Sequence, residues 1–283
     1  MKPVYATSRA EAWLKSAKVL FAEHERIYNL VVEIQEPGLE TDATKSIEQR
    51  VDKFLAEHNC LPVQTVADTI FPAAEYKSGG LKKVFAYPTD VYPHIKSISA
   101  NRWGTYALRL TQRVCSDGTT INPLELVIEK LKKNLASAKR VKNGPQRAIY
   151  ELDMALEPLE LKFYDVEQDY NNPRGGQCLS HVSLKLGPEH ELYLTALYRY
   201  QYFVQKALGN FKGLARLQAC IAREIGVPVG PLVCHATLAT LEENTAEGAQ
   251  TPWGRRALEV LVNDCEAINA QSTEGVGDPS AVA

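Results

Sequence analysis

Cys178 stands where two kinds of sequence meet, behind the loop "NNPRGGQ" and ahead of the alternating segment "LSHVSLKL". A thiol becomes a nucleophile when positive charge or backbone N–H groups stabilise its thiolate. Arg174 and the flexible Gly175 and Gly176 offer such a setting just upstream. The plainer alternative is a small buried hydrophobe, the usual role of a free cysteine. His181 alternates to one face with Leu179 and Ser183. It reads either as a helper of the thiol or as an ordinary strand histidine.

Composition narrows the chemistry that such a thiol can serve. With 45% hydrophobic and 23% charged residues in 283, the chain can bury a large core, in one large domain or two small ones. A formal charge of -2 gives no basic excess for a nucleic-acid polymer or an anionic membrane, although local arginines can still bind small anions. No apolar run is long enough to span a membrane and the first residues lack an uninterrupted signal-peptide core, so the expected location is the cytoplasm. The six cysteines lie apart with no CxxC pair. Free thiols are expected, with no disulfide framework and no metal. Neither GxxxxGKS/T nor GxGxxG occurs, which removes support for ATP and dinucleotide folds.

The elements that must position the thiol follow from periodicity. Residues 8–28 carry Trp13, Ala17, Leu20 and Ile27 at the spacing of an amphipathic helix, and "YNLVVEI" reads as a strand stopped by Pro37 and Gly38. "ATKSIEQRVDKFLAEH" puts Ile47, Val51, Phe54 and Leu55 on one helical face, whereas "VQTVADTIF" fits a helix or a buried strand. Residues 77–93, rich in Gly, Lys and Pro, read as a loop. "NPLELVIEKLKKNLAS" offers Asn122 as N-cap, Pro123 at the first turn and a stripe of Leu124, Val127, Ile128 and Leu131. The basic loop "KRVKNGPQR" and the strand-like "AIYELDM" and "LELKFYDVE" come next. In "CLSHVSLKL", Val182, Leu184 and Leu186 share a face. "ELYLTALYRYQYFVQKALG" reads as a strand or a strand plus turn. "FKGLARLQACIAREIG" is a helix ending at Gly226, and "PLVCHATLATLEE" is a last strand. The pattern predicts one mixed α/β domain over residues 1–270, a large mixed sheet covered by helices, with a disordered tail at 271–283.

Taken in order, "NRWGTYALRL", an Asp-Gly turn, "NPLELVIEKLKKNL", "NGPQRAI", "QCLSHVSLKL" and "LYRYQYFVQKALGNFKGLARLQACIAREIGVPVG" resemble the thymidylate synthase and pyrimidine nucleotide hydroxymethylase family over residues 100–242. In that family a cysteine opening a strand adds to C6 of a pyrimidine nucleotide, and C5 then attacks a one-carbon unit delivered by 5,10-methylenetetrahydrofolate. The resemblance puts Cys178 in the nucleophile's place and Arg199 in that of the phosphate-binding arginine of "YQRS". Arg147 takes the place of the second arginine of "SRRI", which reaches the partner's site in a homodimer, and Asn210 that of the asparagine that reads the base. It implies a thymidylate-synthase-like α+β fold, a homodimer and a pyrimidine nucleotide substrate. Plainer readings stand beside these roles. Arg199 could stack on tyrosines at an interface, Asn210 could cap a helix, and Arg147 could be a solvated charge.

Departures from the family bear on cofactor and sugar. Gln146 replaces the first phosphate-loop arginine, Tyr200 the serine after the strand arginine, and Tyr202 the aspartate that helps hold folate. Trp103 takes the place of a catalytic tyrosine, and its indole N–H cannot relay a proton; Tyr106 is the substitute. Asp68, with Glu75 as second candidate, takes the place of the glutamate that organises proton transfer. The "DxHxY" that holds a 3′-hydroxyl falls on Leu238, Thr240 and Glu242, with His235 on the same segment. The expected catalytic set is therefore Cys178, Asp68 and Tyr106, with Arg147, Arg199, Asn210, Arg174, Trp103 and His181 at the substrate. The expected activity is one-carbon transfer, methyl or hydroxymethyl, to C5 of a pyrimidine nucleotide. The competing readings are a protein of this fold that has lost the chemistry and binds a nucleotide or partner, and an enzyme that adds its thiolate to another electron-poor ring.

Overall fold

Alternation begins at once: in β1 (Lys2–Ala6), Val4 and Ala6 are buried and Tyr5 faces out. The computed structural model describes residues 1–24, 26–98, 101, 103–115, 117–138, 160–163, 177–242 and 253–274. Helix α1 (Arg9–Ala22) starts at Ser8, whose Oγ accepts the Glu11 N–H at 3.2 Å. It is shorter than expected, because the chain turns at His24, with φ of 56°, into β2 (Arg26–Ile34). Thr41 caps α2 (Asp42–Glu57) in the same way.

The undecided segment "VQTVADTIF" is helical, as α3 (Val63–Ile70). The loop expected at residues 77–93 is helical as well, in α4 (Ala73–Phe85), α5 (Tyr87–Asp90) and α6 (Tyr92–Ile95). Its prolines sit in first turns, where a missing N–H costs nothing, and only Gly79 and Gly80 leave helical geometry, as a kink. Next come α7 (Tyr106–Thr111), the short hairpin β3 (Arg113–Val114) and β4 (Thr120–Ile121), α8 (Pro123–Ala138) and β5 (Glu160–Lys162). "KRVKNGPQR" and "AIYELDM" fall on residues outside the described set.

The second half carries β6 (Leu179–Leu186), β7 (Leu192–Tyr198), β8 (Gln201–Tyr202), a π-helical turn at Phe203–Ala207, α9 (Leu208–Ile225), β9 (Val229–Thr240) and α10 (Arg255–Glu274). Gly226 ends α9 in the left-handed conformation, φ 75°, as its place in the sequence predicts. Helix α10 is not predicted from the sequence pattern, and it extends through residues 271–274, where a disordered tail is expected.

One mixed sheet runs β1-β2-β9-β7-β6-β5, with β8 also on β9. β7 and β8 pair with β9 in one continuous parallel register, Tyr198 opposite Ala236 and Gln201 opposite Ala239. Arg199 and Tyr200 therefore occupy a break in a single strand line. Helices cover one sheet face: Trp13, Leu20, Phe211, Leu214, Leu217 and Ile221 are buried with Leu30, Ile34, Leu194, Ala196 and Leu232. The Trp13 indole N–H also donates to the Phe203 carbonyl at 2.9 Å, which ties α1 to the π-helical turn. On the opposite face Tyr5 is exposed, and Val31, Glu33, Val233 and His235 are half-buried.

Helices α3 and α9 touch at their backbones. A Cβ at Gly213 would lie 2.7 Å from the Ala67 carbonyl oxygen, and one at Gly209 would lie 2.8 Å from that of Val63. Among the described residues, no helix is long and apolar enough to cross a membrane.

Candidate functional site

Four parts of the chain converge at the head of β6. The Leu179 N–H, next to Cys178, donates to Tyr106 Oη at 3.1 Å. Tyr106 lies in the first turn of α7, which Thr105 starts by accepting the Leu108 N–H at 3.1 Å. The Tyr87 hydroxyl pairs with Thr105 Oγ1 at 3.0 Å, and the Tyr106 ring meets Phe163 edge-on with centroids 5.6 Å apart. Burial and the neighbouring Cys178 sulfur both raise the Tyr106 phenol, so it holds its proton.

Gln177 supplies the hinge behind the thiol. Its buried side-chain amide donates to the carbonyls of Gly104 at 2.6 Å and Trp103 at 3.4 Å. Its own carbonyl accepts the Arg199 Nε at 3.1 Å and Nη2 at 2.8 Å. The Arg199 N–H donates to the Cys178 carbonyl at 2.8 Å, and Thr237 Oγ1 donates to the Arg199 carbonyl at 2.7 Å. The break between β7 and β8 thus joins exposed Arg199 to the main chain of Gln177 and of half-buried Cys178. Arg109 closes the rim by donating to the carbonyls of Phe163 at 2.7 Å and Trp103 at 3.0 Å.

The fold therefore brings Cys178, Tyr106, Trp103 and Arg199 together, with Trp103 taking part through its main-chain carbonyl. Asp68 is used elsewhere: its carboxylate accepts from Gln64 at 2.8 and 2.9 Å and pairs with Arg216 at 3.3 Å, bracing α3 against α9. Asn210 is buried inside the first turn of α9 and is no N-cap, because the π-helical turn feeds straight into that helix. His181 does not share a face with Leu179. The β6–β7 register shifts between these two residues, which buries Leu179 on the side of Val182 and leaves His181 half-buried opposite Leu197 and Lys162. Arg147 and Arg174 lie outside the described residues.

Three of the other thiols are buried, whereas Cys115 is half-buried like Cys178. Cys220, Cys234 and Cys265 are buried, and burial pushes each up to about 12. Burial also raises Cys60. Two further groups of the region escaped the sequence reading. Gln177 carried no signal beyond adjacency to the cysteine. Glu242 was read as a lost sugar contact, yet its carboxylate is buried and accepts the Val204 N–H at 2.8 Å and the Gln205 N–H at 3.1 Å, starting the helix that carries Asn210. Burial raises this carboxyl to about 7 against those hydrogen bonds. The Trp253 indole donates to its main-chain carbonyl. No protein family and no curated protein matches the chain.

Proposed function

We propose that this chain has a thymidylate-synthase-like fold and modifies C5 of a pyrimidine nucleotide, with Cys178 as the nucleophile. The observation that carries the reading is the convergence of a half-buried thiol, a protonated phenol and an arginine at one strand head. The thiolate adds to C6 of the base, the C5=C6 electrons pass into the adjacent carbonyl as an enolate, and C5 becomes nucleophilic toward a one-carbon electrophile. Loss of the C5 proton and expulsion of the sulfur then restore the ring. Tyr106, which keeps its proton, suits stabilisation of the enolate oxygen. Arg199, whose Nε and Nη2 hold the Gln177 carbonyl, brings positive charge to the site for a phosphate. Asp68, committed to Arg216, does not serve as the proton-transfer carboxylate.

Among the described residues, the position that would hold methylenetetrahydrofolate does not suit it. Where the family holds folate with a carboxylate, this chain has Tyr202, whose ring packs against Tyr200 at 4.7 Å between centroids. A phenyl face offers no paired acceptor for a pterin amide edge, so the one-carbon donor is left as a chemical class. The reading includes a homodimer formed by the open sheet face, where Tyr5 is 62% exposed. A thermal-shift panel of pyrimidine ribo- and deoxyribonucleoside monophosphates tests the substrate class. Stabilisation by one of them supports the reading through linkage, and no shift at millimolar nucleotide contradicts it. Stabilisation without exchange of the C5 hydrogen would favour a binding protein on this fold.

A further inference from the structure

Tyr198 is the polar group of this region that the proposed chemistry leaves without a task. It sits on β7 between Leu179 of β6 and Ala236 of β9, on the helix-covered face, and is 1% exposed. Among the described residues its hydroxyl has no hydrogen-bond partner. A buried hydroxyl left unpaired carries a desolvation penalty that phenylalanine in the same space would avoid. Such an atom is accounted for when the partner is a species that forms only in the working protein.

Its surroundings say which species. After burial itself, the groups that hold the Tyr198 proton in place are Cys234, Tyr106 and Cys178. Tyr198 is thus a standing donor, not an acid to be ionised. Cys234 is a poor recipient, because it is buried, stays protonated and already interacts with Gln201 at 3.8 Å. Tyr106 already receives the Leu179 N–H on its oxygen and is itself a donor. The Cys178 sulfur is the one neighbour of Tyr198 that gains negative charge in the proposed chemistry. Among the described residues, Tyr106 on α7 and Tyr198 on β7 both respond to charge on Cys178, and Arg199 in the strand break donates its main-chain N–H to the Cys178 carbonyl.

We propose that Tyr198 is a positioning residue for Cys178, its O–H being the donor that meets charge on the ionised sulfur. This rests on the reading of Cys178 as nucleophile. On ionisation the thiol proton leaves to solvent and the sulfur accepts the phenol hydrogen bond; no other bond changes. Burial keeps both nearby phenols, Tyr106 and Tyr198, protonated.

The test is the pH dependence of iodoacetamide alkylation at Cys178, followed by the mass of its peptide, in the intact protein and in Tyr198→Phe. The variant is expected to raise the midpoint by about half to one pH unit and to slow labelling at neutral pH by about three- to tenfold. Its melting temperature should be unchanged or higher, because an unpaired hydroxyl is gone. Incorporation of 3,5-difluorotyrosine at position 198 keeps the shape and strengthens the donor, so it should lower the midpoint, and it serves also if Tyr198→Phe does not fold. Midpoints that stay put in the folded variants overturn the proposal. The assay contains no nucleotide, so a failure of nucleotide to bind would remove the proposed function without touching this result.

Discussion

Raising the pH through the neutral range should destabilise this protein through one carboxyl group, Glu242. Its two backbone donors, Val204 and Gln205, lie at the start of the π-helical turn, but burial outweighs them and lifts the group from 4.5 to about 7. The folded state therefore holds the proton longer than the unfolded chain does. The resulting contribution is complete below about pH 4.5, where both states are protonated, and is lost as pH rises to about 7. A difference of that size corresponds to about 3 kcal/mol, or roughly 6 °C in melting temperature for a chain of this length. Glu242→Gln cannot titrate and keeps one oxygen for the same N–H groups. Melting curves of wild type and Glu242→Gln at steps from about pH 5 to about pH 8 isolate the effect from every other titrating group. Wild type should lose stability relative to the variant across this window and run parallel to it above. A wild-type-minus-variant difference that does not change with pH would refute the argument, and one that grows with pH would show that the helix terminus outweighs burial.

Three further perturbations test separate parts of the structure. Gly213→Ala drives a methyl group against the Ala67 carbonyl, and the α3–α9 contact should lose about 1–3 kcal/mol in denaturant unfolding. Tyr106→Phe leaves the Leu179 N–H without its acceptor and should cost about 1–2 kcal/mol, with hydrogen exchange accelerated at the head of β6. On the proposed homodimer, wild type should sediment as a dimer and Tyr5→Glu, on the open sheet face, as a monomer with an unchanged circular dichroism spectrum; a variant that sediments as wild type does would argue against that face as the interface.

The sheet and its covering were legible where a single period dominates. Ile47, Val51, Phe54 and Leu55 in α2, the stripe from Leu124 to Leu131 in α8, and Val182, Leu184 and Leu186 in β6 are all on buried faces. Residues 77–93 were misread because proline and glycine were taken as breakers, whereas these prolines start helices and the glycines only kink one. The sequence pointed to Cys178, Tyr106, Trp103 and Arg199 together, since order along the chain carried them. It did not reveal that Arg199 grips the Gln177 carbonyl, a contact made by a break in a strand line. Asp68 resembled a proton-transfer carboxylate by position, but its pairing with Arg216 depends on how α3 crosses α9. His181 was assigned by strict alternation, and one register shift is enough to separate it from Leu179. Tyr198 and Glu242 show the same limit: an unpaired hydroxyl and a buried carboxyl are properties of packing, which no local pattern encodes.

The central claim is that the Cys178 sulfur adds to C6 of a pyrimidine nucleotide. Its most direct test is release of tritium from C5-labelled pyrimidine nucleoside monophosphates, with wild type and Cys178→Ser side by side. Wild type should release tritium with at least one nucleotide, and the serine variant none above background. Release that persists in Cys178→Ser, or no release by wild type from any nucleotide that stabilises it, would contradict the claim.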